Sequence, residues 1–408
     1  MASNPRLVKE ANALHTAGYQ VRVVAGDYMA AIRPLDRTIL EQAPWQWTQV
    51  KLPSGLGYTL QALRQRTLRQ LTRPAGQPLP LDWTAWAFSR IWRSLARAAA
   101  TEPADLYIGH NLPALPAVAW AARHHGTAFG FDAEDDHVGE LEPTPKNALE
   151  IDLRRRLEHT LLPQAHHLTA ASPGIADAYA QRYGLQMQSI LNVFPRSEGP
   201  AELTFPNPNA PPSLYWFSQT IGPGRGLEAI VTAMGQMSTP VHLYLRGLPA
   251  QGYEAQLRGL AQRIGVGERV HVLEPAPPGE MVRLAAQYDL GLSLELTTPP
   301  NRAICLTNKI FAYLLAGRPV VLSRTPAQDA LANDLGEAAT SVDLNRPDEI
   351  AVTLDQAFSN PTCMAQRCSL AWTLGQQTYT WDVEKMRFLD SVEAALRQGS
   401  LRQRGRLA

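Results

Sequence analysis

The second half of the chain alternates short apolar runs with stretches in which apolar residues recur every three or four positions. Runs such as SLYWFSQ (213–219) and VHLYLRG (241–247) predict buried strands. The stretch LEAIVTAMGQM, which follows the first run, has the spacing of a helix. Further strands are predicted at 269–274, 289–295 and 319–323, and helices at 253–264, 278–288 and 308–316. This alternation predicts βαβ units and a parallel sheet covered on both faces.

The first half of the chain shows the same alternation less regularly. It predicts helices at 4–17 and 116–126, and strands at 20–26, 105–111, 128–137 and 167–173. A polar, proline-rich stretch at 196–212 is typical of a linker. We therefore predict an α/β protein with two doubly wound Rossmann-like domains, at 1–195 and 213–375. A terminal segment, 376–398, is predicted to cross back to the first domain.

Composition narrows the classes of function. The 38 Lys and Arg residues nearly balance 37 Asp and Glu, so nucleic acid is not an expected partner. Three cysteines have neither metal-ligand spacing nor the arrangement of a disulfide framework. The N-terminus lacks the apolar region of a signal peptide, and no apolar run is long enough to cross a bilayer. These features predict a cytoplasmic protein.

A glycine-rich turn follows the predicted strand at 213–219. Gly222, Gly224 and Gly226 allow close backbone approach, and Arg225 adds a positive charge beside the next helix. The turn therefore has the composition of a phosphate-binding loop. An ordinary βα turn with a solvated arginine is an equally good explanation of this loop alone.

A second cation lies at the start of the predicted helix 308–316. Thr307 is placed to cap this helix, and Asn308 and Lys309 follow it. A lysine at a helix N-terminus is unfavourable unless an anion compensates it, although the side chain can also extend outward into solvent. Because ligands of open parallel sheets bind beyond the carboxyl ends of the strands, Arg225 and Lys309 together predict a diphosphate ligand.

Several stretches in the same order along the chain resemble glycosyltransferase family 4, the nucleotide-sugar-dependent enzymes of the GT-B fold. The second half contributes PGRGLEAIVTAM, YDLGLSLE, NRAICLTNKIFAYLLAGRPVV and YTWDVEK. The first half contributes SNPRLVKEANALHTAGYQVRVV, DLYIGHNLPALPAVAWAARHHG, FDAEDDHVGE and AHHLTAASPGIADAYAQRYG. The resemblance covers nearly the whole chain.

The resemblance implies an enzyme of polysaccharide or glycoconjugate assembly that moves a sugar from a UDP-, GDP- or ADP-sugar to a glycan or lipid-linked acceptor. It implies retention at the anomeric carbon, no essential metal and no cofactor beyond the nucleotide sugar as co-substrate. Arg225 and Lys309 would stabilise the leaving diphosphate, Glu295 would face the sugar hydroxyls, and His110 would lie near the transferred sugar. The remaining expected donor-side positions are Gly222, Gly224, Gly226, Arg246, Glu274, Thr307 and Asn308. Those on the acceptor side are His110, Asn111, Asp132 and Glu134.

Two departures from the family pattern leave alternatives open. The family has a glutamate that grips the ribose where this chain has Ala312, and its first strand and glycine-rich turn are missing before the helix at 4–17. A non-catalytic GT-B-like scaffold and a sugar-nucleotide epimerase are the alternative functions. His110 has a rival role in capping the turn before the next helix. The acidic run at 134–137 has a metal site as its alternative, although solvated carboxylates explain it better.

A basic stretch at 57–74 suggests a further partner. Leu60, Leu63, Leu68 and Leu71 fall near one helical face, with arginines around them and Trp83, Trp86 and Trp92 following. This combination suits peripheral contact with an anionic membrane surface, which would be the inner face of the membrane for a cytoplasmic enzyme. A solvated surface helix is the alternative.

Overall fold

A computed structural model describes residues 4–27, 33–72, 80–207 and 209–407. It divides into two compact units. The first unit comprises Met1–Ile190 with Lys385–Ala408, and the second comprises Leu191–Glu384. The predicted linker, 196–212, lies within the second unit, and the second division falls inside the last helix.

The described part of the first unit contains six strands and eight complete helices. The strands are β1 (Arg22–Asp27), β2 (Gln46–Lys51), β3 (Leu106–His110), β4 (Ala128–Ala133), β5 (His167–Ala170) and β6 (Gln188–Ser189). The helices are α1 (Pro5–Thr16), α2 (Arg33–Gln42), α3 (Leu56–Thr72), α4 (Leu81–Phe88), α5 (Trp92–Ala99), α6 (Leu115–His125), α7 (Ala148–Leu161) and α8 (Pro173–Tyr183).

The strands of the first unit form two separate parallel sheets. One pairs β1 with β2, and the other has the order β3-β4-β5-β6. No strand precedes α1 in the described residues. Within the described residues β1 and β3 do not pair with each other, and each is an edge strand of its own sheet.

The second unit contributes β7 (Ser213–Ile221), β8 (His242–Pro249), β9 (Val270–Leu273), β10 (Leu290–Ser293), β11 (Val320–Ser323) and β12 (Ala339–Val342). Its complete helices are α9 (Leu227–Met234), α10 (Tyr253–Ile264), α11 (Met281–Ala285), α12 (Pro300–Ile304), α13 (Asn308–Leu315), α14 (Pro326–Leu335), α15 (Pro347–Phe358) and α16 (Pro361–Gln377). The last helix, α17 (Trp381–Leu407), begins in this unit.

The sheet of the second unit is parallel throughout, with the strand order β12-β11-β10-β7-β8-β9. The chain adds β8 and β9 on one side of β7 and then β10, β11 and β12 on the other. The order of the strands therefore reverses between β7 and β10. Such a reversal opens a crevice beyond the carboxyl ends of the two central strands, where open α/β sheets bind ligands. The loops that follow β7 and β10 are those that carry Arg225 and Glu295.

Helix α13 packs directly on β10 because a glycine makes room for it. A Cβ on Gly291 would lie 2.1 Å from the Tyr313 ring, so the ring covers the bare backbone of the strand. The buried Tyr313 hydroxyl donates a hydrogen bond to the carbonyl of Leu292 at 3.2 Å. This contact fixes the position of the helix that carries Lys309.

Several predicted boundaries differ from the structure. The strand predicted at 128–137 ends at Ala133, which places Asp132 inside β4 and Glu134 just after it. The helix predicted at 278–288 is only the five-residue α11, and the last helix runs on to Leu407. Among the described residues no helix is both long and apolar enough to cross a membrane.

Candidate functional site

The glycine-rich turn after β7 leads into α9. Gly224 and Gly226 have positive φ values of 70° and 69°. A Cβ on Gly226 would lie 2.7 Å from Leu344 Cδ1, so this position needs glycine for both its conformation and its space. Gly222 is different, because a Cβ there would meet Ala250 at an ordinary 3.5 Å. Only two of the three predicted glycines are therefore required by the backbone.

Arg225 and Lys309 lie close enough to influence each other. Burial lowers the pKa of Lys309, the Arg225 guanidinium lowers it further, and Glu295 opposes both. Arg225 is half-buried and makes no ion pair with a described residue. Two cations at the reversal point of the sheet repel one another, and an anion between them would relieve that repulsion.

Lys309 is buried, with 7% of its surface exposed. Its Nζ lies 3.6 Å from Glu295 Oε1 and 5.8 Å from the centre of the Trp216 ring. The protein itself therefore supplies part of the negative charge that a lysine at this helix terminus requires. The alternative of a lysine extended into solvent is wrong.

The loop that carries Glu295 is held by a serine on the neighbouring strand. Ser323 Oγ accepts a hydrogen bond from the Glu295 N–H and donates one to the Glu295 carbonyl, both at 2.7 Å. Both residues are buried. One hydroxyl thus satisfies the two backbone groups of Glu295, and its carboxylate is held facing Lys309.

Thr307 occupies the N-cap of α13, but its side chain makes no capping hydrogen bond. Its Oγ1 instead lies 3.2 Å from Ser293 Oγ at the end of β10. The capping role predicted for Thr307 is therefore wrong, and α13 begins with free backbone N–H groups at Asn308 and Lys309. Ala312, on the same helix, is fully buried and offers no side-chain group to a ribose.

Arg246 lies in β8 opposite Leu273, the last residue of β9, and Glu274 follows Leu273 directly. Arg246 donates to the Tyr215 hydroxyl at 2.9 Å and to the Glu274 carbonyl at 2.8 Å. The contact uses the backbone of Glu274, and its side chain is exposed. The structure thus brings this predicted pair together on the same sheet edge as Arg225.

The first unit contains a buried network of charged groups around Asp132. Arg6 Nε and Nη2 donate to the two Asp132 oxygens at 2.6 and 2.7 Å, and Thr169 Oγ1 donates to Oδ1 at 2.6 Å. Arg6 also lies 3.2 Å from Glu10 Oε1, one turn along α1. Asp132 has no exposed surface. Its predicted position on an acceptor-binding surface is wrong, because its oxygens are enclosed by residues of its own unit.

His110, at the end of β3, lies among three carboxylates. Its Nε2 is 3.3 Å from Glu10 Oε2, and its Nδ1 is 3.3 Å from Asp132 Oδ2 and 3.2 Å from Glu134 Oε1. Burial alone would lower the pKa of His110, but Glu10 and hydrogen bonds to the carboxylates raise it well above its ordinary value. The side chain is therefore an imidazolium whose two N–H groups both face carboxylates.

Glu134 is the most open member of this network, with 19% of its side chain exposed against 8% for His110. Its Oε1 also accepts a hydrogen bond from Asn4 Nδ2 at 2.5 Å. Asn111, which follows His110, is exposed and has φ 65° and ψ 149°, a region that side chains other than glycine rarely adopt. Backbone strain of this kind clusters at active sites and ligand clamps.

Sequence reasoning missed three residues that shape these clusters. Arg6 and Glu10 lie four positions apart on α1, a spacing that puts both on one helical face. Arg302 Nη1 donates to the Gly224 carbonyl at 2.5 Å and so ties the glycine-rich turn to α12. The sequence did contain a signal for Arg6 and Glu10, because both fall on one face of the predicted helix at 4–17.

The acidic run at 134–137 separates into different pairs. Asp136 is bound by Arg182 through two hydrogen bonds of 2.6 and 2.7 Å, and His137 lies 3.4 Å from Glu140. Within the described residues, the one set of three metal-ligand side chains that converges is Glu10, His110 and Asp132. The Arg6 guanidinium already occupies both oxygens of Asp132, so an ion network explains this set better than a cation site.

Comparison with known proteins identifies the fold. Residues 3–193 match the model of the glycosyl transferase 4-like domain. No curated protein sequence matches the chain. Anabaena HepE in complex with UDP has a TM-score of 0.65 at 17% identity, with 92% of this chain and 100% of that chain covered.

Two other solved structures share the fold over most of their length. Sucrose-phosphate synthase from Thermosynechococcus elongatus has a TM-score of 0.66 at 14% identity, covering 96% of this chain and 92% of its own. WaaG, a glycosyltransferase of lipopolysaccharide biosynthesis, has a TM-score of 0.59 at 13% identity, with 94% of each chain covered. The predicted fold class and family resemblance are confirmed. The chain has the GT-B fold of these solved structures, and its residues 3–193 match the glycosyl transferase 4-like domain.

Proposed function

We propose that the second unit binds the diphosphate of a nucleotide sugar between Arg225 and Lys309, and that the bound sugar is transferred to an acceptor. The single observation that carries this proposal is the position of the two cations. They follow the two central strands, β7 and β10, where the order of the sheet reverses. Negative charge that develops on the leaving diphosphate would be stabilised by both cations.

The free N–H groups at the start of α13 support this assignment, since anions bind at helix N-termini. Glu295 lies beside Lys309 and is proposed to face the sugar hydroxyls. Arg246, Tyr215 and the Glu274 backbone form the adjacent sheet edge, which we assign to the nucleoside. The complexes of HepE with UDP and UDP-glucose make a uridine nucleotide the first donor to test.

Glu134 is proposed as the acceptor-side carboxylate of the first unit. Both ring nitrogens of His110 already face carboxylates, so the imidazolium is better placed to hold Glu134 than to contact a sugar directly. Asn111, exposed beside His110, is the second acceptor-side contact. No step in this proposal uses a metal ion.

A lipid-linked or glycan acceptor is part of the proposal, as is peripheral membrane contact through the stretch 57–74 at the cytoplasmic face. Helix α3 covers this stretch as far as Thr72, whereas Arg73 and Pro74 lie outside the described residues. Leu60, Leu63 and Leu71 are exposed on it, which supports membrane contact. Leu68, Trp86 and Trp92 are buried and belong to the core of the unit.

Calorimetric titration of the purified chain with UDP, GDP and ADP tests donor binding. We expect one of the three to bind, and Arg225→Gln to weaken it by about 1.5–3 kcal/mol, the range for hydrogen bonds to charged groups. Arg263→Gln, which removes an exposed arginine of α10, is the matched control and should leave the affinity unchanged. If none of the nucleotides binds, the proposed function is wrong.

Transfer is then followed by the release of nucleoside diphosphate from the nucleotide sugar in the presence of an acceptor. An isomerised donor without release would instead indicate an epimerase. The two products are distinguished by chromatography of the same reaction.

A further inference from the structure

A cavity of about 290 Å³ opens between α3, α4 and α5 of the first unit. Helix α3 contributes Leu60, Gln61 and Arg64, α4 contributes Trp86, and α5 contributes Arg93, Ser94 and Arg97. Three of these side chains carry a positive charge, and none of the described residues that line the cavity is acidic. The cavity therefore favours an anion.

Aromatic rings fix two of the three arginines. The Arg64 guanidinium carbon lies 4.2 Å from the centre of the Trp86 ring, and that of Arg93 lies 4.4 Å from the centre of the Trp120 ring. The described carboxylate nearest to Arg93 is the exposed Asp82, at 3.9 Å, beyond hydrogen-bond distance. Arg64 and Arg93 are thus held against aromatic rings, and Arg93 also lies within ion-pair distance of Asp82.

Two buried polar atoms of the cavity residues have no hydrogen-bond partner among the described residues. They are Nη1 of Arg93, which is a donor, and Oε1 of Gln61, which is an acceptor. A ligand that satisfies both must offer an anionic oxygen to Arg93 and a hydroxyl or N–H group to Gln61. A phosphodiester that carries hydroxyl groups has both.

An apolar stripe continues from the edge of the cavity along α3. Leu56, Leu60 and Leu63 recur at helical spacing and are 84%, 66% and 60% exposed. Leu60 belongs to both the stripe and the cavity wall. A helix that exposes leucines beside clustered arginines has the chemistry of a helix that lies in a membrane interface.

We propose that this cavity binds the phosphate-bearing head group of an anionic lipid while the leucine stripe enters the acyl region of the same leaflet. The inference rests on the membrane contact proposed for α3 and gives it a specific head-group site. The arginines supply attraction to the phosphate, Gln61 binds a head-group hydroxyl, and burial of the leucines adds the apolar contribution.

Co-sedimentation of the full chain with phosphatidylcholine vesicles, with and without phosphatidylglycerol, tests the proposal in the absence of nucleotide sugar. We expect binding only when phosphatidylglycerol is present. The double variant Arg64→Gln with Arg97→Gln should bind about thirty-fold more weakly, because each arginine near an anionic surface contributes about 5.5-fold to binding. Arg66→Gln is the matched control, since Arg66 is exposed on α3 and does not line the cavity.

If Arg66→Gln weakens vesicle binding as much as Arg64→Gln or Arg97→Gln alone, the attraction is diffuse and the head-group site is wrong. Leu56→Ser with Leu60→Ser should abolish vesicle binding, whereas Leu35→Ser, at an exposed leucine of α2, should not. If glycerol phosphate displaces the protein from vesicles and the leucine variants still bind, the cavity is a site for soluble phosphate esters and the lipid assignment is wrong. UDP titration of each variant shows separately whether the donor site is intact.

Discussion

Arg6 and Asp132 form two parallel hydrogen bonds, 2.6 Å from Nε to Oδ2 and 2.7 Å from Nη2 to Oδ1, with both side chains buried. The pair joins α1 to β4 across 126 positions of sequence. It raises the pKa of Arg6 and lowers that of Asp132 against the opposing effect of burial. Because Asp132 also faces His110, the pair sets the position of the histidine at the end of β3.

Arg6→Met should destabilise the first unit strongly. Removal of one partner leaves the other charge buried and uncompensated, a loss of about 3–5 kcal/mol in the free energy of unfolding. Urea denaturation of the full chain measures it. Arg258→Met is the control, since Arg258 pairs with Glu254 on the surface of α10 and the two side chains are 45% and 38% exposed. That variant should change the free energy of unfolding by less than about 1 kcal/mol, and equal losses would contradict the assignment.

His110 should make stability depend on pH. Its folded-state pKa lies well above the ordinary 6.5, so the folded protein binds this proton more tightly than the unfolded chain. The resulting stabilisation is fully present below pH 6.5 and is lost as pH rises through the raised folded-state pKa. The difference in free energy of unfolding between the wild type and His110→Gln should therefore shrink on going from acid to alkaline pH. An imidazole NMR titration with its midpoint below 6.5 would falsify this prediction.

The positions of the proposed donor-side residues were predictable because they depend on local order in the sequence. Once β7 and β10 are recognised as buried parallel strands, the residues after them must lie on one sheet edge. The network around His110 was not predictable in the same way, since Arg6 and Asp132 are far apart in sequence and no pattern pairs them. Helical spacing likewise placed Leu60 and Leu68 near one face, and only packing shows that Leu68 is buried and Leu60 is not.

Asn111→Gly should stabilise the protein. The Asn111 conformation costs about 1–3 kcal/mol for a residue other than glycine. Glycine removes that cost, but its greater conformational freedom stabilises the unfolded chain by about 0.4–1 kcal/mol. A net increase of about 1 kcal/mol in the free energy of unfolding is expected from urea denaturation. Asn111→Ala, which keeps the strain, should show no such increase, and a gain of the same size in both variants would argue against strain.

Gly226 and Gly222 should differ sharply when replaced by alanine. At Gly226 the added Cβ would meet Leu344 Cδ1 at 2.7 Å and Leu294 Cβ at 3.1 Å, in a backbone conformation with φ 69°. Gly226→Ala should therefore displace the turn that carries Arg225 and weaken nucleotide binding at least about tenfold, which is about 1.4 kcal/mol. Gly222→Ala adds an ordinary contact at 3.5 Å and serves as the control. Calorimetric titration with the nucleotide that binds compares the two, and similar affinities would count against a phosphate-binding turn.

Glu295→Gln should separate the binding of the diphosphate from the recognition of the sugar. In the wild type, the Glu295 carboxylate lies 3.6 Å from Lys309 Nζ and competes with an incoming diphosphate for the same cation. The neutral amide removes that competition, so affinity for the nucleoside diphosphate should rise, by up to about tenfold or about 1.4 kcal/mol. Transfer should fall nonetheless, because the group proposed to accept hydrogen bonds from the sugar hydroxyls has lost its charge. Calorimetry with the diphosphate and rate measurements with the nucleotide sugar give the two quantities separately. A variant with weaker diphosphate binding and unchanged transfer would show that Glu295 only supports the fold around Lys309.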